Sequence, residues 1–146
     1  MDRKKLMCLS FVEWISLFNV INKMAKVIKT YYDNGQLREE FFENGGKKEG
    51  ECKRYNENGQ LLAICNYVDG NLHGDYKRYH KNGKLCLTCC CVDGKVEGEY
   101  KEYYSNGQLL QISNYINGLR EGECKRYHMN GLLWETCNYV DGVKQK

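Results

Sequence analysis

The chain contains no proline among its 146 residues. Every backbone N–H is therefore available to a hydrogen-bond ladder, and no strand is interrupted by a missing donor. Long apolar runs are also absent. The best candidate, Leu6 to Ile21, falls short of the ~20 residues needed to span a bilayer and contains Glu13. Charge of one sign is scarce: the net charge is +3, too small to specify a nucleic-acid partner. There are only three histidines, His73, His80 and His128. No Ser/His/Asp or Cys/His arrangement can be read from the spacing, and no glycine loop has the pattern that cradles phosphate. Neither catalysis nor a bound cofactor is expected. A mean hydropathy of -0.70 and few large aliphatics argue against a thick core.

The chain does have a repeat. Asn34-Gly35, Asn58-Gly59, Asn82-Gly83, Asn106-Gly107 and Asn130-Gly131 recur every 24 residues without insertion. Tyr31, Tyr55, Tyr79, Tyr103 and Tyr127 keep the same phase, as do Leu37, Leu61, Leu85, Leu109 and Leu133. Gly50-Glu51, Gly74-Asp75, Gly98-Glu99 and Gly122-Glu123 close the units. Self-similarity at a fixed period outweighs any local motif as a guide to fold. Asn-Gly between strand formers predicts a hairpin in which both turn residues take positive φ. A second turn is expected at Asp69-Gly70, Asp93-Gly94, Asn117-Gly118 and Asp141-Gly142. The fold expected is an all-β repeat array, an elongated, twisted antiparallel sheet of stacked hairpins with about ten short strands.

A two-residue loop at Asn58-Gly59 would pair Glu57 with Gln60, Tyr55 with Leu62, Lys53 with Ile64 and Cys52 with Cys65. Apolar and polar residues then mix on both faces. Tyrosine, at 12 residues, suits a thin sheet because it combines buried area with a polar tip.

Residues 1–30 lie outside this expected array of residues 31–146. Met7, Phe11, Trp14, Phe18, Ile21, Ala25 and Ile28 follow helical spacing and predict an amphipathic helix over Lys5 to Lys26. Such a helix could cap the open sheet. Phe11, Trp14 and Phe18 could instead meet a membrane surface or a partner. A signal peptide is the rival reading, since Asp2-Arg3-Lys4-Lys5 precede an apolar run; Glu13 interrupts that run, and no small-residue cleavage site follows.

The pattern Gly-x-Tyr-x-x-Tyr-x-x-Asn-Gly-x-Leu, then Tyr-x-Asp-Gly-x-x-x-Gly, resembles MORN-type repeats over about Tyr31 to Gly142. It is carried by Tyr79, Asn82, Gly83, Leu85, Asp93, Gly94, Gly98 and their counterparts. More closely it resembles the variant grouped with a bacterial antitoxin family, and similar arrays are numerous in large DNA viruses of amoebae. The resemblance implies a β-hairpin array that serves as a scaffold, binds a protein partner, neutralises a toxin or, in some members, associates with membranes.

Nine cysteines remain to be placed. Cys86 to Cys91 contains Cys-x-x-Cys, a spacing found in zinc and redox sites. The repeat offers a simpler account. Cys89 matches Cys65 and Cys137, Cys86 matches Leu62 and Leu110, and Cys91 matches Tyr67 and Tyr115, so these are packing positions. No metal is expected. The odd count and the missing cleavage site point to free thiols in an intracellular, cytoplasmic setting.

The charged residues form columns. Lys53, Lys77, Lys101 and Lys125 each follow an acid by two residues, which cancels most of a basic stripe for anionic lipids. Arg54, Arg78 and Arg126 form another column, broken by Glu102. The expected interaction surface combines Arg54, Arg78 and Arg126 with Tyr79, Tyr103 and Tyr127.

Overall fold

The computed structural model describes residues 26–146, of which all but Gln145 and Lys146 lie in or between strands. Apart from Lys26, the helix expected over Lys5 to Lys26 lies outside the described residues, with Phe11, Trp14 and Phe18. Lys26 opens a strand, so the sheet starts within the stretch 1–30.

Eleven strands run in sequence order through one open antiparallel sheet. They are β1 (Lys26–Tyr31), β2 (Leu37–Asn44), β3 (Lys47–Tyr55), β4 (Leu61–Val68), β5 (Asn71–Tyr79), β6 (Leu85–Val92), β7 (Lys95–Tyr103), β8 (Leu109–Ile116), β9 (Leu119–Tyr127), β10 (Leu133–Val140) and β11 (Val143–Lys144).

Two turn types alternate, and the Asn-Gly turns do not take the expected two-residue form with positive φ at both positions. The two-residue loops lie at the second turn, where Val68 pairs with Asn71 and Val92 with Lys95. Here both central residues are left-handed, with φ of 51° and 84° at Asp69 and Gly70. Those are the angles of a type I′ hairpin. The Asn-Gly turns have three-residue loops. Gly59 N–H donates to Asn56 O at 2.9 Å, and Asn56 N–H donates to Gln60 O at 2.9 Å. Gly59, at φ 78°, takes the left-handed position, while Asn58 is absent from it. Glu57 therefore does not pair with Gln60, nor Tyr55 with Leu62. Tyr55 pairs with Leu61, a bulge follows, and Arg54 pairs with Ala63; Lys53–Ile64 and Cys52–Cys65 are as expected.

The asparagine serves through its side chain rather than its φ. The Oδ1 atoms of Asn34, Asn82, Asn106 and Asn130 accept the N–H two residues on, at 2.9–3.1 Å. The Nδ2 of Asn34 then donates to Glu57 O at 2.9 Å, that of Asn82 to Ser105 O at 2.7 Å, and that of Asn106 to Met129 O at 3.0 Å. Two residues earlier, Tyr32 and Tyr104 donate their hydroxyls to Tyr55 O and Tyr127 O at 2.7 and 2.9 Å. His80 Nε2 meets Tyr103 O at 2.8 Å, and since a carbonyl only accepts, that nitrogen carries the proton. His80 is half-buried between units, while His128 is exposed. The first loop is thus tied to the second, the third to the fourth and the fourth to the fifth.

The sheet also curls. On β3, β5, β7 and β9 a glycine in mid-strand has φ between 70° and 87°. The ladder to the preceding strand slips by two residues there: Phe41 pairs with Cys52, but Phe42 pairs with Glu49. The ladder to the following strand stays in phase through Gly50–Tyr67. Extra length on one side of a strand bends it and raises its twist. Cys52, Cys65 and Cys124 are 0% exposed, although no second layer covers them among the described residues. In a single layer that burial requires curling. The expectation that both faces mix alike is therefore corrected. An inner face buries Cys52, Ala63, Cys65, Tyr67, Leu87 and Cys89, while the outer face carries the Lys column.

Replacing Gly83 with Val should lower stability by about 1–2 kcal/mol, because φ is 80° there and no neighbour obstructs the added carbon. Asp93→Val should cost a similar amount, since Asp93 sits at φ 49°. Thermal melting checks both; an unchanged Tm at Gly83 would contradict the loop geometry.

Candidate interaction surface

Adjacent residues of a strand point to opposite faces. Arg54 and Tyr55, Arg78 and Tyr79, Arg126 and Tyr127 are therefore separated, and the expected Arg and Tyr residues do not form one surface. The arginines lie on the inner face. Tyr127 lies outside with Ile112, Glu123 and Lys125, around a shallow depression that Glu99 and Asn114 complete.

The inner face is read best as a row running across the sheet. The pairing gives Thr30, Glu39, Arg54, Ala63, Arg78, Leu87, Glu102, Gln111, Arg126 and Glu135 in succession. At the first end Glu39 Oε1 accepts from Lys48 Nζ at 2.5 Å, Arg54 Nε at 2.9 Å and the Cys52 thiol at 3.3 Å. Burial alone would raise the Glu39 pKa, but the hydrogen bonds from Lys48, Arg54 and Cys52 outweigh it and hold the carboxyl at about 2. Lys48 also lies over the Phe41 ring at 4.2 Å and the Tyr67 ring at 5.4 Å. Leu62, which alternation alone would place outside, lines the depression beside Glu39 and Arg54, because the bulge at Leu62 turns it inward.

At the other end Arg126 Nη1 meets Glu135 Oε2 at 2.8 Å, and Arg126 Nε donates to Gln111 Oε1 at 3.1 Å. Lys144 Nζ also contacts Glu135. Arg120 Nε donates to Tyr115 OH at 3.0 Å and its Nη1 to Tyr139 OH at 3.3 Å, with the guanidinium over both rings. Lys48 and Arg120 were missed at the sequence level. The signal was present, since they share one repeat position with Leu72 and Val96, which pack on Tyr67 and Cys91 across the turn.

The centre of the row differs from its ends. Arg78 and Glu102 both pair across to Leu87, so two strand spacings, roughly 10 Å, separate them. Among the described residues neither has an ion-pair partner, whereas Arg54 and Arg126 each do. Arg78 reaches only the Cys86 sulfur at 3.5 Å, and Glu102 receives only the Tyr100 hydroxyl at 3.5 Å. The array therefore carries an unpaired cation and an unpaired anion in its middle, with Leu87 and the half-buried Tyr76 and Tyr100 around them.

The outer face is electrostatically self-contained. Lys53, Lys101 and Lys125 pair with Glu51, Glu99 and Glu123 on their own strands, at 2.8, 2.5 and 2.6 Å. Exposed pairs of this kind contribute little stability, yet they neutralise three of the four lysines of the column.

The cysteines occupy inner-face rungs. Cys52 lies opposite Cys65 and Cys124 opposite Cys137, while Cys89 faces Tyr76. Cys90 alone of the Cys86–Cys91 run is exposed. Burial pushes the Cys89 thiol up to about 12. In the Cys52–Cys65 pair the neighbouring Cys52 thiol, aided by Arg54, favours ionisation of Cys65, and the Cys65 sulfur disfavours that of Cys52. Among the described residues no group of three His, Cys, Asp or Glu is placed to hold a metal ion.

The MORN repeat variant family matches five segments of the chain, residues 27–44, 48–69, 72–90, 96–117 and 120–141. No match is found among curated proteins.

Two outcomes follow from this geometry. Glu39 titrates lower folded than unfolded, so its contribution is complete above its ordinary pKa of 4.5 and is lost as pH falls from there toward 2. Glu39→Gln should flatten that acid limb and cost on the order of 1–2 kcal/mol at pH 7, read by urea unfolding at several pH values. Facing residues on antiparallel strands have Cα atoms about 4.5–5.5 Å apart, within disulfide range. Oxidation by diamide should therefore join Cys52 to Cys65 and Cys124 to Cys137 before other pairs. Peptide mapping that found bonds within Cys86 to Cys91 instead would contradict the register.

Proposed function

Because the chain belongs to the MORN repeat variant family, we propose that it is a non-enzymatic scaffold that binds a protein partner on the inner face of its sheet. Such repeats generally serve as protein- or membrane-interaction scaffolds. The observation that favours a protein partner is the unpaired Arg78 and Glu102 at the centre of an otherwise neutralised row. Two opposite charges roughly 10 Å apart suit a polar chain segment that brings an acid to one and a base to the other. Leu87, Tyr76 and Tyr100 add apolar area between them. The partner carries the specificity, and the sheet presents these groups at fixed spacing.

A membrane-associating adaptor is the second reading. It is favoured by the family's range, and Phe11, Trp14 and Phe18 would contribute to it. The pairing of the outer lysines with Glu51, Glu99 and Glu123 weighs against a lipid-binding stripe on the sheet itself. A toxin-neutralising role is the special case in which the protein partner is a toxin. All three readings place the chain inside the cell, in keeping with its odd number of cysteines.

The test uses the full chain as bait in the cells that make it. Arg78→Glu and Glu102→Lys should each reduce capture of the same partner by about tenfold or more, as loss of a charged contact does. Lys81→Glu, in an exposed loop, should leave capture unchanged. Equal capture by all forms would refute the central site. Sedimentation of the full chain with phosphatidylserine vesicles at low salt would instead establish the membrane reading.

A further inference from the structure

The two ends of the array are complementary halves of one strand. Strands β3, β5, β7 and β9 are each nine residues long. Their first residues lie beside the two-residue turn and their later residues follow the glycine bulge. β11 supplies the first part of such a strand: it pairs with Tyr139 and Val140 of β10. β1 supplies the second part, since Lys26–Tyr31 stands at the repeat positions of Gly50–Tyr55. Among the described residues no strand lies beside Leu133–Cys137 on the outer edge of β10, or beside β1 on the side away from β2.

We propose that a second copy of this chain docks its β1 on the β10 edge, so that copies join head to tail through a continuous sheet. This goes beyond the inner-face partner site and uses different groups. The register follows from the repeat: Ala63–Arg78, Ile64–Lys77 and Cys65–Tyr76 translate to Glu135–Thr30, Thr136–Lys29 and Cys137–Ile28.

Four observations fit that register. The first is charge. The outer row reads Lys29, Glu40, Lys53, Ile64, Lys77, Thr88, Lys101, Ile112, Lys125, Thr136. From Lys53 onward lysine alternates with a neutral residue, and Lys29 beside Thr136 continues the alternation without a like-charge contact. The second is backbone direction. Tyr32 N–H points to Gln36 O across the first hairpin, so by alternation Lys29 N–H and C=O point to the open side of β1. Asn138 O accepts from Gln145 N, so Thr136 likewise points outward from β10. The two would form a hydrogen-bonded pair.

The third is the loop ladder. By the pattern of Asn106 and His80, Asn130 Nδ2 would donate to Asp33 O of the second copy, and His128 to Tyr31 O. Within one copy neither donor has an acceptor among the described residues. The fourth is apolar cover. Leu133 and Trp134 are 54% and 59% exposed, whereas Cys86, at the repeat position of Trp134, is 8% exposed under the next unit. The join falls at the glycine bulge, where every inter-unit ladder is already interrupted; Lys146 and the second copy's Lys26 fall on one repeat position there, so Lys146 turns out of the strand.

The interface is heterologous, so association is open-ended. Sedimentation velocity of the full chain should show a mass that climbs past twice 17.1 kDa with concentration and reaches no plateau. Lys29→Pro and Thr136→Pro each remove one edge-facing N–H and no internal ladder bond. Each variant alone should stay monomeric, and an equimolar mixture should form a dimer that grows no further. A wild-type chain that stays monomeric up to its solubility limit overturns the proposal, as does a mass plateau at the dimer. Dimerisation of Lys29→Pro alone would mean pairing of two β10 edges and overturns it too. Hydrogen exchange on the unmodified chain gives the same answer without a substitution. The Lys29 and Thr136 amides should gain protection together as concentration rises; protection of Thr136 alone, or of neither, counts against the docking.

Discussion

The backbone ladder is the constraint on which the rest of this structure depends. Among the described residues there is no second layer for the sheet to rest on. Its strands are held by their neighbours, and its inner face is buried by its own curvature. The glycines in the middle of β3, β5, β7 and β9 make that curvature possible, because they adopt positive φ without the strain an L side chain would meet. The two-residue slip beside each of them lengthens one side of the strand and not the other. Among the described residues, that curvature buries Cys52, Cys65 and Cys124 completely without a second layer.

A second set of bonds holds the units in phase. Asn34, Asn82 and Asn106 each close their own loop with Oδ1 and reach the following loop with Nδ2. Tyr32, His80 and Tyr104 do the same from two residues upstream. Such contacts link nearest neighbours and no others, as in linear arrays generally. They also leave the terminal units with unused groups, whose donors and acceptors match one another. An array with this property has ends that resemble its own interior, and proteins ordinarily protect such edges.

Charge is distributed according to face. Outside, Lys53, Lys101 and Lys125 are each neutralised by an acid of their own strand and Lys29 by Glu40 of the next, which leaves little net field. Inside, the ends of the row are neutralised across strands by Glu39 and Glu135, at 15% and 27% side-chain exposure. Partial burial makes these pairs matter more than the outer ones, because water screens them less. The central Arg78 and Glu102 escape pairing for a geometric reason: Ala63 and Leu87 flank Arg78, and Leu87 and Gln111 flank Glu102.

The sequence by itself determined the strands, their order and most of the register. Asn-Gly and Asp-Gly, recurring in phase without proline, admit little besides a meander of hairpins, and they placed Cys52 against Cys65 and Cys124 against Cys137. Tertiary structure decided the rest. It moved the type I′ geometry to the Asp-Gly turns, while Asn34, Asn82 and Asn106 engage the next unit through their side chains, a contact invisible to local propensity. It turned Leu62 inward at a bulge that simple alternation does not anticipate. It also split the expected surface, placing Arg78 inside and Tyr79 outside. Which face became the inner one depended on the glycine bulges acting together across the sheet. Curvature is a property of many paired strands, and no single repeat contains it.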